Sequence, residues 1–89
     1  MIRVLSVQPL TDFLVHIVFT DRTERTIDVA QYFHGPIFEQ LRADTALFRS
    51  VAVDREFGTI CWSNGADLDP DVLYGIEVLP HEKARSNSG

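Results

Sequence analysis

Three histidines, one cysteine and a set of alternate aspartates are the residues of this 89-residue chain whose types and spacing could do chemistry. Asp67, Asp69 and Asp71 match the opening spacing of a calcium loop, in which alternate carboxylates converge on one cation. The rest of such a loop does not follow. Its sixth position falls on Val72, where a sharp turn needs glycine, and its twelfth on Val78, where a bidentate glutamate belongs. Helix capping and solvation are therefore expected of these aspartates, and no metal. Cys61 is the single cysteine, so neither an internal disulfide nor a cysteine-based zinc cage can form. A nucleophilic thiolate also needs a positioned base and an electropositive setting, and no candidate for either is evident, so a small buried hydrophobe is expected. His16, His34 and His81 lack the one-turn spacing of a metal-binding or acid–base pair. No catalytic residue and no cofactor is assigned.

These residues must be held by a single small domain. Eighty-nine residues leave little room for a second domain and give a thin core, and a 45% apolar share is too rich for a disordered chain. Enclosing a pocket of several hundred Å³ would be hard for so short a chain without an oligomer. The net charge of −5, with Arg3, Arg22, Arg25, Arg42, Arg49, Arg55, Lys83 and Arg85 scattered, makes direct nucleic-acid binding unexpected, because displacing counterions from phosphates takes clustered basic residues. The opening Met1-Ile-Arg-Val-Leu5 lacks a secretory pattern, and no window approaches the length of apolar chain that a membrane span needs. A cytoplasmic protein without a membrane segment is the expectation.

The elements follow from periodicity and turn chemistry. Ile2–Val7 reads as a first strand, limited by Pro9. Thr11-Asp12 turns into Phe13–Thr20, whose odd positions Phe13, Val15, Ile17 and Phe19 make one apolar face. Its even positions, Leu14, His16, Val18 and Thr20, are half apolar, which is unusual for a face meant only for water and predicts a covering helix or another chain. At His16 a partly buried histidine bonded to a neighbour is preferred to a ligand role. Asp21-Arg22-Thr23-Glu24 reads as a four-residue hairpin loop leading to a strand over Arg25–Val29. His34-Gly35-Pro36 is a break before a short amphipathic helix carrying Ile37, Phe38 and Leu41, and Asp44 can cap a further turn with Leu47 and Phe48. Arg49–Val53 and Thr59–Trp62 read as a second hairpin around Asp54–Gly58.

The most tightly specified stretch is Trp62-Ser-Asn-Gly-Ala-Asp-Leu-Asp-Pro-Asp-Val-Leu-Tyr74. Asn64-Gly65 is a turn dipeptide of residues that tolerate positive φ, and Asp69-Pro70 is a helix cap followed by a proline at the first helical position. Gly65, Asp69 and Pro70 thus define a structural corner, followed by a helix with Val72, Leu73 and Ile76 on its apolar side. The whole is an α+β fold over residues 1–79: one antiparallel sheet of about five strands, a meander plus a hairpin, with short helices on one face in the order β-β-β-α-β-β-α. A polar tail over 80–89 is expected to be flexible.

The corner, together with Ile27-Asp28-Val29, Gly35-Pro-Ile-Phe38, Leu41 and Phe48, resembles a family of small bacterial domains known as domain of unknown function 2442. The resemblance runs from about Ile2 to Tyr74. It implies a two-layer α+β fold with an antiparallel sheet, and an accessory module of the kind joined to helix-turn-helix segments or placed beside another small protein, as in toxin–antitoxin pairs. It implies no catalytic residue. One departure stands out: relatives carry Asp-Gly in the turn after the second strand, where Arg22 follows Asp21 here.

The expected function is that of a protein-interaction or regulatory module, antitoxin-like by resemblance, with a protein partner or self-association. Its candidate contact surface comprises Leu14, His16 and Val18 on the second strand and Trp62, Asn64, Asp67 and Tyr74 at the corner. For Trp62 and Tyr74, covering the edge of the core is preferred to forming a contact patch. A small-ligand binder or enzyme with a site at an oligomer interface is the alternative. Two carboxylates at the start of the last helix would repel phosphates, which places DNA binding third.

Overall fold

A computed structural model describes residues 2–75. Strand β1 (Val4–Pro9) pairs antiparallel with β2 (Leu14–Phe19), and β2 with β3 (Glu24–Asp28), forming a meander in which β2 is central. A bulge between Val4 and Ser6 sets Leu5 outside the ladder, where it is exposed. The alternation of β2 does what its sequence demands. Val15, Ile17 and Phe19 are fully buried, and Phe13 packs half-buried at their end.

Both tight hairpins are built alike. Phe19 N–H donates to Thr23 C=O at 2.9 Å and Arg22 N–H to Phe19 C=O at 2.9 Å, so the loop is the three residues Thr20, Asp21 and Arg22. The four-residue loop expected over Asp21–Glu24 is thus displaced and shortened: Asp21 Oδ1 accepts the Thr23 N–H at 2.9 Å, which tightens the turn and returns Thr23 and Glu24 to the ladder. In the second, Trp62 N–H donates to Ala66 C=O and Gly65 N–H to Trp62 C=O around Ser63, Asn64 and Gly65. Each is a type I turn closed by one left-handed residue, Arg22 (φ 73) and Gly65 (φ 94). Asn64 itself keeps an ordinary negative φ, so only the glycine of the Asn-Gly pair uses its freedom.

After β3 the Asp28 carboxylate caps a 3₁₀ turn over Val29–Tyr32. Helix α1 (Pro36–Ala43) starts behind Gly35 with proline in its first turn, and α2 (Thr45–Phe48) is capped by Asp44, whose Oδ1 accepts the Leu47 N–H at 3.1 Å. Strands β4 (Ala52–Asp54), β5 (Thr59–Cys61) and β6 (Asp67–Leu68) form a second antiparallel sheet. Helix α3 (Pro70–Tyr74) begins where Asp69 Oδ1 accepts the Asp71 N–H at 2.8 Å and ends at Gly75 in the left-handed conformation.

The α+β class holds, but the strands do not make one five-stranded sheet. Among the described residues there are two sheets of three strands, and the sixth strand is a two-residue segment too short to show any periodicity. The Ser63–Gly65 turn folds it back on β5. The two helices separate β3 from the second sheet along the chain. The second hairpin meets β1 through Val4 N–H to Gly58 C=O at 2.9 Å and through the Arg3 guanidinium, which donates to the Arg55 and Glu56 carbonyls. Leu41, Phe48 and Leu73 from the three helices, Ile60, Trp62 and Leu68 from the second sheet region, and the inner face of β2 join one core. Ile76 and the tail over 80–89 lie outside the described residues.

Candidate interaction surface

The even positions of β2 form the centre of an outer face. Val18 stands between Ser6 and Glu24, His16 between Gln8 and Thr26, and Leu14 beside Asp28. Leu14 and Val18 are half-buried by these neighbours, and neither belongs to the core cluster. All the helices contribute their buried residues to the opposite side, so the helical cover considered for this face is not supplied by the described residues. His16 Nε2–H donates to Glu24 Oε1 at 2.9 Å, and Nδ1 lies 3.2 Å from Thr26 Oγ1. The ring is thus tied to β3 by neighbours on its own sheet.

The corner residues are placed differently. Trp62 is 3% exposed, donates Nε1–H to the Phe48 carbonyl at 2.9 Å, and packs edge-on against Phe33 and Phe38. Asn64 donates Nδ2–H to Ile37 C=O at 3.0 Å and to Gln40 Oε1 at 2.9 Å, tying the turn to α1. Asp67 is exposed on β6. The Tyr74 ring meets Phe19 edge-to-face at 4.9 Å, and its hydroxyl donates to Asp21 Oδ2 and lies 3.3 Å from Thr23 Oγ1. These bonds hold the Asp21 carboxyl below its ordinary pKa, chiefly through the Tyr74 hydroxyl and then through the Thr23 N–H. Leu14, His16 and Val18 therefore share one surface, whereas Trp62, Asn64 and Tyr74 bind elements of the fold to one another.

The reactive side chains do not converge. Burial, followed by the nearby Asp54 and Asp67 carboxylates, pushes the Cys61 thiol up, which keeps it protonated. His34 is exposed in the loop before Gly35, and His81 is outside the described residues. Among the described residues no three of histidine, cysteine, aspartate and glutamate group as metal ligands would, and no helix is long and apolar enough to cross a membrane.

Two features escaped sequence reasoning. One is an open cleft of about 400 Å³ lined by Leu10, Thr11, Asp12, Phe13, Thr45, Phe48 and Arg49. Asp12, in its lining, holds φ at 53°. The other is the use of arginines as struts. Arg25 donates to Leu73 C=O at 2.9 Å, Arg42 to Ala30 C=O at 3.0 Å and Arg49 to Leu10 C=O at 3.0 Å, as Arg3 does across the two sheets. Their scatter along the sequence was the one available sign that they serve separate local tasks.

A family model described as "Protein of unknown function (DUF2442)" matches residues 4–78. No curated protein and no solved structure matches.

Proposed function

We propose, from the premise that this chain belongs to the DUF2442 family of proteins of unknown function, that it is a protein-interaction module of the accessory or regulatory kind. It docks through the outer face of β1–β3 onto a basic partner protein. One observation carries this reading: Leu14 and Val18 stand outside the core on a sheet face whose charged neighbours are Glu24 and Asp28, with no lysine or arginine among the flanking residues. Burying the two aliphatic side chains would gain about 25 cal/mol per Å² of apolar surface, and the carboxylates would select a partner of opposite charge. Facing copies of the same surface would bring Glu24 and Asp28 toward like charges, so a different protein is favoured over a self-associated dimer. Masking a basic partner in this way is an antitoxin-like arrangement. Nucleic acid is not proposed as the partner, because Arg3, Arg25, Arg42 and Arg49 are engaged with carbonyls and α3 opens on Asp69 and Asp71.

The test compares Leu14→Glu and Val18→Glu with Phe57→Glu, whose side chain is 65% exposed on the β4–β5 loop. Light scattering and mass spectrometry of co-purifying protein are expected to show a basic partner retained by Phe57→Glu and lost by the two β2 variants, with unchanged circular dichroism. A strict monomer that recovers no partner, or a partner retained by all three variants, overturns the proposal. A small-ligand reading is favoured by the cleft between Asp12 and Arg49 alone. A ligand-induced rise in melting temperature that Thr45→Trp abolishes by filling the cleft would establish it.

A further inference from the structure

The outward edge of β3 has the geometry of an unfinished sheet. The Phe19–Thr23 bond at one end of the β2–β3 ladder and Val29 N–H to Phe13 C=O at 3.0 Å at the other fix which pairs are bonded. Between them Val15/Ile27 and Ile17/Arg25 exchange hydrogen bonds, because bonded and non-bonded pairs alternate in an antiparallel ladder. Glu24, Thr26 and Asp28 therefore aim their N–H and C=O groups away from β2, and among the described residues β3 is the last strand of its sheet. The Asp28 carbonyl accepts Gln31 Nε2–H at 2.9 Å. Among the described residues no main-chain group bonds to the others, and all three residues are exposed. Such an edge is a template for another strand.

Side chains decide which strand fits. Glu24, Thr26 and Asp28 flank the edge on the outer face, while Ile27 and the stem of Arg25 flank it on the inner one. The Arg25 guanidinium is already folded onto the Leu73 carbonyl. A strand bonded to this edge places every second residue beside Glu24, Thr26 and Asp28, so lysine or arginine at the two ends and apolar residues between would complement it. A second copy of β3 in the fully overlapped antiparallel register would set Glu24 against Asp28, a like-charge pair.

We infer that the β3 edge accepts an extended basic segment of a partner protein as the fourth strand of the first sheet, with lysine or arginine beside Glu24 and Asp28. The inference rests on the interaction reading above and specifies how the partner is held. The probe is the capped heptapeptide VKVTVKV, titrated into the full ¹⁵N-labelled chain. Expected are shifts and slowed hydrogen exchange at the Glu24, Thr26 and Asp28 amides. The VEVTVEV peptide should bind more weakly, by about 1.4- to 5-fold for each of the two charge pairs. Thr26→Pro should abolish the response without unfolding the domain, since its N–H points away from β2 and proline is tolerated at such edge positions. Equal binding of the two peptides, shifts confined to Leu14, His16 and Val18, or a Thr26 amide already protected before peptide is added would overturn it. If VKVTVKV leaves β3 untouched while Leu14→Glu still loses its partner, the edge inference falls and the docking face stands.

Discussion

Replacing Arg22 with glycine should stabilise this protein, although it deletes a charged side chain and adds no contact. Arg22 holds φ at 73° as the closing residue of the β2–β3 turn, the role that Gly65 fills at 94° in the β5–β6 turn. A residue with a Cβ in that conformation costs roughly 1–2 kcal/mol, because the Cβ crowds the following carbonyl oxygen. Glycine removes that strain but leaves the unfolded chain freer, which offsets about 0.4–1 kcal/mol. The net gain is about 0.5–1 kcal/mol. For a domain of this size that corresponds to a rise of about 2–8 °C in Tm.

Two further variants isolate the cause. Arg22→Ala keeps a Cβ and should stay within about 0.5 kcal/mol of the parent, since the arginine side chain is exposed. Gly65→Ala introduces the strain where it is now absent. A Cβ there would meet nothing nearer than Ile37 Cδ1 at 3.9 Å, so its cost of about 1–2 kcal/mol should be purely conformational. Urea unfolding followed by circular dichroism reads all three. An Arg22→Gly midpoint equal to or below that of the parent, alongside a costly Gly65→Ala, would refute the equivalence of the two turns.

Other perturbations probe the packing and the polar network. Trp62→Phe removes the indole N–H from the buried Phe48 carbonyl and leaves a void among Phe33, Phe38 and Phe48, so a loss of about 2–3 kcal/mol is expected in the same unfolding assay. Gly58→Ala adds a Cβ 2.9 Å from Arg3 Cγ at φ 67, so it should destabilise more than Gly65→Ala does. Tyr74→Phe takes away the largest cause of the low Asp21 pKa, and NMR titration should then find that carboxyl closer to the ordinary aspartate range. Because the folded pKa is depressed, the Asp21 interaction is fully present above the unfolded value and is lost as pH falls through the folded one. Tyr74→Phe should therefore flatten the acid limb of the stability profile and leave its slope near neutral pH unchanged.

Local rules made most of the elements legible and left their assembly hidden. Val15, Ile17 and Phe19 are buried because strict alternation admits one core face, and Asp44 and Asp69 cap helices because their side chains reach free N–H groups within three residues. Both inferences need only neighbours in sequence. The split into two sheets depends instead on Val4 meeting Gly58 and on Arg3 crossing to Arg55 and Glu56, contacts more than fifty residues apart. No periodicity records those. The corner shows the same limit from the other side. Trp62 and Tyr74 bracket one motif, yet Trp62 enters the aromatic cluster around Phe48 while Tyr74 reaches back to Asp21. The motif specifies its own turn and cap, and the folded core decides where each ring goes.

The arginines change how the acidic balance should be understood. Arg3, Arg25, Arg42 and Arg49 each donate to a main-chain carbonyl in a separate part of the fold, and Arg25 does so at the end of α3, where a cation also meets the negative end of the helix. Guanidinium groups fixed in this way cannot swing onto the outer face of β1–β3. Glu24 and Asp28 are the charged residues of β3 on that face, and both also flank the adjoining edge. Replacing Arg25 with methionine tests the division of labour. It should cost about 1 kcal/mol by freeing the Leu73 carbonyl, yet leave the binding of a basic strand beside Thr26 unchanged. Loss of that binding in a variant that remains folded would mean that Arg25 shapes the edge itself, and the separation of strut from surface would fail.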